Sequence, residues 1–291
     1  MWLEAAEFDL DVTLCCGQVF RWERKGSWWY GVVRDQVFKV RQVDGELECA
    51  GVDDVFLRSY FGLDHDLKEI SEKISKDSYI RNALRRFWGL RIVRQDPWEC
   101  LISYICATYK NIAAIKRMLH ELSRKFGEKT VFDGCEFHAF PAPEKLAGAT
   151  EKALGECGLG YRARYVLETS KKIASKTFEL EQLRQLPYAQ AKRELCALPG
   201  VGLKVADCVL LFSLDRLDAF PVDVWMRRVL LNHYAEKLPN ELVQKLSKQE
   251  SLSNSDYAKL NEFGRSYFGE YAGYAQEYLY HYERMQVRQR C

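Results

Sequence analysis

The sequence contains no CxxC pair, although it has ten cysteines. Cys15 and Cys16 are adjacent, while Cys49, Cys100, Cys106, Cys135, Cys157, Cys196, Cys208 and Cys291 stand singly. That spacing gives neither a zinc site nor an iron–sulfur cluster its usual ligands, so no metal site and no cofactor are expected. The thiols read as reduced and mostly buried, in a cytosolic or nuclear setting. No apolar run approaches the length needed to span a bilayer, so no membrane partner is expected. Residues 1–12 (MWLEAAEFDLDV) are acidic and amphipathic, unlike a secretion signal. An excess of one charge is missing too: 43 basic residues face 41 acidic ones, a net charge of +2. Any nucleic-acid surface must therefore be a local patch. Internal repeats and low-complexity linkers are absent.

What is present is apolar material, 47% of 291 residues, enough for one large domain or two smaller ones. Ser27–Val33 (SWWYGVV) and Gln36–Val43 (QVFKVRQV) read as strands joined by a tight turn at Arg34-Asp35. Asp44-Gly45 is a strong hairpin signal before a third strand at Glu46–Ala50. From Asp53 onward apolar residues recur at helical spacing, through Val55, Leu57, Tyr60, Ile70, Ile74, Ile80, Leu84 and Phe87. Asp96-Pro97 reads as an N-cap with proline at the first helical position. Gly127, the stretch Phe132–Pro143, Pro187 and Leu198–Gly202 break the pattern. Beyond Asp223 the chain reads as helical, apart from a polar loop at Ser251–Asp256. The expected class is α+β. A twisted antiparallel sheet domain with flanking helices, residues 1 to about 90, packs on a mostly α-helical body, residues 91–291.

Arg193–Phe212 (RELCALPGVGLKVADCVLLF) is the most informative segment. A helix runs into Leu198-Pro199, Gly200-Val201-Gly202 forms a hairpin, and a second helix starts near Leu203. The helix–hairpin–helix spans about residues 188–212. Two glycines one residue apart let the backbone turn sharply and approach a partner. The free amides at the start of the second helix suit a backbone phosphate of DNA. A plain αα-hairpin with no ligand is the competing reading. Lys204 lies in the first turn of the second helix, where it opposes the helix dipole. Nineteen residues on (223 − 204), Asp223 in AFPVDVW is placed to cap the next helix, Trp225–Tyr234. An amine and a carboxylate at two helix starts can converge on one cleft. That pair suits attack of a lysine amine on C1′ of a flipped-out nucleotide. A Schiff base and β-elimination would follow, with the carboxylate stabilising charge on the sugar. Lysine is mostly protonated near neutrality, its reference pKa being roughly 10.4. The site must therefore favour the free amine.

LPGVGLKVADC followed by FPVDV resembles the glycosylase superfamily that includes endonuclease III, and within it the 8-oxoguanine DNA glycosylases. The resemblance extends to Cys16–Trp22 (CGQVFRW), Leu90–Cys106 (LRIVRQDPWECLISYIC), Gly158–Tyr165 (GLGYRARY) and Tyr271–Gln276 (YAGYAQ), in order. It implies a bifunctional glycosylase and lyase acting on duplex DNA that contains 8-oxoguanine. Lys204 would be the nucleophile and Asp223 the carboxylate. Gly17 would offer its carbonyl to the N7 hydrogen that guanine lacks. Gln276 would read the Watson–Crick edge, with Tyr280 and Cys208 on the two faces of the base. Cys208 also lies one turn from Lys204 on the same helix face. Core packing is the competing reading for Cys208 and Tyr280, and an ordinary strand or turn glycine for Gly17. Tyr161 and Arg162 match residues that enter the duplex from the minor groove, the tyrosine as a wedge and the arginine at the widowed cytosine. The competing reading there is a helix-capping loop with solvated arginines.

The sequence departs from the eukaryotic pattern in Cys106–Ala114 (CATYKNIAA). Tyr109 stands where an asparagine fills the space left by the extruded base. Ala114 replaces an arginine that contacts the opposite cytosine, which implies relaxed opposite-base selectivity. Trp225 replaces a histidine that holds the flipped nucleotide's phosphate, and can stack but carries no charge. These departures point to a bacterial or archaeal branch. The protein would be a monomer, nucleoid-associated in the cytoplasm of a prokaryote or nuclear in a eukaryote. A loosely held cation at the hairpin stays open. The alternatives are a glycosylase of the same fold for another damaged base, and a helix–hairpin–helix DNA-binding protein with no activity.

Overall fold

The computed structural model describes the backbone of residues 1–290 and the side chains of residues 1–287. Cys291, counted above, lies outside the described residues. Five antiparallel strands build the N-terminal sheet: β1 (Trp2–Glu4), β2 (Glu23–Lys25), β3 (Trp28–Val33), β4 (Gln36–Val43) and β5 (Glu46–Ala50), in the order β1-β5-β4-β3-β2. The turn at Asp44-Gly45 has positive φ at both residues, 50° and 86°. That is the primed turn whose twist matches a hairpin, and it pairs Val43 with Glu46. The two short outer strands carry too little alternation to be read from sequence. The sheet exists because β3, β4 and β5 supply a template for them.

Period-two alternation puts Phe38, Val40, Leu47 and Cys49 on one face, where they pack with Trp22, Leu57, Tyr60 and Phe61. The opposite face is covered by a second hairpin, Lys129–Phe132 with Cys135–His138. Its Phe137 stacks on Tyr30 with ring centroids 5.8 Å apart. Its Asp133 accepts hydrogen bonds from Tyr30 and Lys39, each at 2.6 Å. The sequence reading took residues 132–143 as a break only. The missed signal is Asp133-Gly134, a hairpin dipeptide between KTVF and CEFH.

The rest is helical and shares one large core. Asp96 caps the helix Pro97–Ala107 as expected, accepting from the amides of Trp98 and Glu99. The helices Leu67–Ile74 and Ser78–Arg86 bury Leu67, Ile70, Ile74, Ile80 and Leu84 in this larger core, and the sheet keeps its own. Pro221 lies in the extended stretch after the helix Leu203–Ser213. The nine described cysteines are free thiols, six of them buried. Among the described residues no helix is long and apolar enough to cross a membrane.

Candidate active site

The helix–hairpin–helix comprises Tyr188–Cys196, the turn through Gly202, and Leu203–Ser213, which we call the lysine helix. Gly200 has φ +80°, and a Cβ there would come within 2.7 Å of Tyr165 Cβ, so only glycine fits. Thr169 ties the turn down by donating to Pro199 O at 2.9 Å. Gly202 is the exposed N-cap of the lysine helix and no side chain caps it, so its first amides stay open. Val201 points into the core, which leaves only its backbone for a partner.

Lys204 projects from the first turn of the lysine helix, its Nζ 4.8 Å from the centroid of Tyr104. One turn on, the buried Cys208 sulfur lies within hydrogen-bond reach of Lys204, and burial pushes its thiol up to about 12. Asp223 caps the helix Val224–His233, its Oδ1 accepting from the amides of Trp225 at 3.0 Å and Met226 at 2.9 Å. Burial raises the Asp223 carboxyl above its ordinary value. The two capping amides, Lys204 and Arg284 pull it back.

A buried polar cluster joins the lysine helix to the segment that leads into Asp223. Asp207, next to Cys208, is fully buried and accepts from Lys192 at 2.7 Å, Tyr188 at 2.5 Å, Asn261 at 3.1 Å and the Tyr257 hydroxyl. The same Tyr257 oxygen accepts from the amide of Val222 at 3.3 Å. One phenol thus bridges the lysine helix to the residue before Asp223. Neither Asp207 nor Tyr257 was found by sequence reasoning, because a buried network has no local spacing signature.

Gly17, Cys208, Asp223, Gln276, Tyr280 and Lys204 line one cavity of about 680 Å³. That lies within the usual range for small-molecule sites, roughly 300–1,000 Å³. Trp225 and Tyr109 line it as well, as do Gly200 and Gly202. Gly17 has φ +112°, a conformation L side chains rarely adopt. Gln276 is buried, and its Oε1 has no hydrogen-bond partner. Glu277 lines the cavity beside it and was not singled out from sequence. Burial pushes its carboxyl up to about 7. Tyr109 is 89% exposed with φ +54°, a strained tip on the rim.

Tyr161 and Arg162 do not line the cavity. Tyr161 is 57% exposed, but Arg162 is buried, with its guanidinium donating to Thr108 O and Leu159 O. It is therefore neither solvated nor held out on a loop: it begins the helix Arg162–Ala174. Ala114, in the first turn of the helix Ile112–Phe126, offers its amide to Asn111 and no side-chain donor to anything.

Residues 1–101 match the family model described as the 8-oxoguanine DNA glycosylase N-terminal domain. Residues 102–249 match that of the HhH-GPD superfamily base excision DNA repair proteins. The chain belongs to the 8-oxoguanine branch of the HhH-GPD superfamily. It is 33% identical to the N-glycosylase/DNA lyase OGG1 of Arabidopsis thaliana, across 96% of this chain and 78% of that one. Among solved structures it is similar to MBOgg1 in complex with a low-affinity DNA ligand, with a TM-score of 0.88 at 31% identity over 97% of this chain and 94% of the other. It is also similar to the Clostridium acetobutylicum 8-oxoguanine glycosylase/lyase bound to double-stranded DNA with cytosine opposite 8-oxoguanine. There the TM-score is 0.86 at 32% identity, over 97% of this chain and 93% of that one. The resemblance read from LPGVGLK, PVDV and the flanking motifs is thereby borne out, as is the α+β glycosylase fold.

Proposed function

We propose that this HhH-GPD glycosylase removes 8-oxoguanine from duplex DNA and then opens the strand, with Lys204 as nucleophile and Asp223 at the sugar. One observation carries the reading. Lys204, Asp223, Gly17 and Gln276, from four separate parts of the chain, converge on one cavity. A duplex hides C1′, so the nucleotide must leave the stack and enter that cavity. The Lys204 amine, as free base, attacks C1′, and the base departs with the glycosidic electron pair and takes up a proton. Loss of a proton from the amine opens the sugar to a Schiff base. That iminium is the electron sink for removal of a C2′ proton and expulsion of the 3′ phosphate. Oδ2 of Asp223 takes part in neither cap bond, so it is left to face the positive charge that builds on the sugar.

The lesion is chosen by polar groups that line the cavity. The Gly17 carbonyl accepts from the N7 hydrogen of 8-oxoguanine, and guanine would present a lone pair there instead. The buried, unpartnered Gln276 Oε1 accepts from donors on the Watson–Crick edge. Tyr280 and Cys208 flank the base. Open amides at Gly202 and the Gly200 turn hold a phosphate, while Tyr109 and Tyr161 fill the gap in the duplex. Trp225 stacks at the cavity mouth. Arg162 is engaged by Thr108 and Ala114 offers no donor, so selectivity for the opposite base is relaxed. The protein acts as a monomer, in the nucleoid or the nucleus according to its host.

Borohydride trapping on an 8-oxoguanine duplex tests the chemistry. The wild-type protein should give a covalent adduct and Lys204→Gln none. Absence of an adduct with the wild type removes the lyase step. Base excision that survives in Lys204→Gln removes the nucleophile assignment.

A further inference from the structure

We infer that Arg284, backed by the Glu277 carboxyl, forms a buried clamp on the Cys16–Gly17 peptide and that both act as positioning residues for lesion selection. The inference rests on the reading of Gly17 as the group that senses N7. The C-terminal helix, Ala272–Arg290, presents Gln276, Tyr280 and Arg284 at four-residue steps on one face. Arg284 is only 5% exposed. Its Nη1 donates to Cys16 O, the carbonyl one residue before Gly17. The same Nη1 lies 2.8 Å from where a Gly17 Cβ would stand, so the guanidinium packs directly against the glycine. Its Cζ lies 5.0 Å from the ring centroid of Tyr280. Glu277 is 2% exposed and faces the charge of Arg284, its Oε1 left without a hydrogen-bond partner, while the Cys16 thiol donates to Thr13 O at 3.1 Å.

A buried guanidinium needs acceptors and countercharge. Here Cys16 O accepts, and the carboxyls of Glu277 and Asp223 face the charge. Glycine at positive φ is the softest point of a backbone. Gln95 and Tyr104 donate to Gln18 O and anchor the chain after Gly17. With the Cys16–Gly17 peptide left free on the other side, Gly17 would swing and its carbonyl, in the next peptide, would miss the N7 hydrogen. Discrimination by one hydrogen bond tolerates no such drift, since a misplacement of about 1 Å costs on the order of 100-fold in rate. Arg284 holds the Cys16–Gly17 peptide plane, and the Glu277 carboxyl, facing the guanidinium in the buried site, holds Arg284 in place. Cleavage at a site that has already lost its base needs no Gly17 carbonyl. The clamp therefore matters for base removal and not for the later strand opening.

The test compares two duplexes, one with 8-oxoguanine opposite cytosine and one with a preformed abasic site. Arg284→Met keeps the length of the side chain and removes its donors. It should slow single-turnover base excision about 30-fold, the worth of a hydrogen bond to a charged group. Nicking of the abasic duplex, where only the charge facing Asp223 is lost, should fall several-fold less than excision, and Arg284→Lys should recover part of the loss. Glu277→Gln, of equal volume, should slow excision about fivefold and stays readable if Arg284→Met does not fold. Equal losses on both substrates would show a merely structural role and overturn the inference, as would excision at the wild-type rate. A wild-type protein that nicks abasic DNA but leaves 8-oxoguanine in place would instead overturn the reading of Gly17, and the clamp with it.

Discussion

Replacing Glu277 with glutamine should stabilise the protein in mildly alkaline solution and leave its stability nearly unchanged in acid. The substitution keeps the side chain's shape and removes its charge. Burial pushes this carboxyl from an ordinary value of 4.5 up to about 7. Below pH 4.5 it is protonated in the folded and the unfolded chain, and the two proteins differ little. Between 4.5 and about 7 the unfolded chain ionises first, so the folded state holds more protons and stability falls as pH rises. Above that window the whole penalty is present. At 1.36 kcal/mol per pH unit it amounts to about 3 kcal/mol, or roughly 6–12 °C in melting temperature. The facing groups act on it in opposite senses, Arg284 and Lys204 favouring the ionised form and Asp223 opposing it. The buried Cys16 thiol is pushed well above its usual range and stays neutral throughout. Thermal melts of both proteins at pH 4.5 and pH 8 check this. The curves should nearly coincide at the lower pH and separate at the higher one, with the variant melting later. A constant offset at both values would refute the reasoning, because it would mean that Glu277 is ionised in the folded protein across the range.

Two further outcomes follow from the site. Ala114→Arg should restore a charged donor toward the base opposite the lesion, raising excision opposite cytosine about tenfold relative to thymine, adenine or guanine; rates on the four duplexes measure it. The same reasoning expects the wild type to discriminate weakly, and a cytosine preference of several hundred-fold would contradict it. Tyr257→Phe should leave Asp207 and the Val222 amide each short of a partner, with a loss of about 1–3 kcal/mol in urea unfolding. Because the phenol ties the lysine helix to the residue before Asp223, kcat should fall more than KM rises. A variant with wild-type kcat would reduce Tyr257 to packing.

Much of the fold was legible because its signals are local. Asp44-Gly45 and the alternation around it marked the central hairpins, and Asp96-Pro97 marked a helix start to the residue. Gly200 and Gly202 located the turn ahead of the lysine, and Asp223 was read as a cap before it was seen to be one. The edge strands β1 and β2 and the hairpin over the sheet were not legible, since short strands form only when a neighbour supplies partners. The burial of Arg162 was not legible for a related reason. Its motif is an exposed loop in composition, yet the carbonyl of Thr108, 54 residues away, draws the guanidinium inside.

By itself the sequence determined the ingredients of the proposed chemistry: an amine at one helix start, a carboxylate at the next, and a hairpin between glycines. Those features depend on residue type and on spacing within a turn or two of helix, which a chain carries wherever it goes. Only the tertiary structure decided which groups share the cavity. It set Arg284 against a carbonyl 268 residues away, left Gln276 Oε1 without a partner, and made Glu277 a neighbour of Lys204 and Asp223. Such meetings are settled by how whole helices pack, and burial then sets the protonation of whatever they bring together.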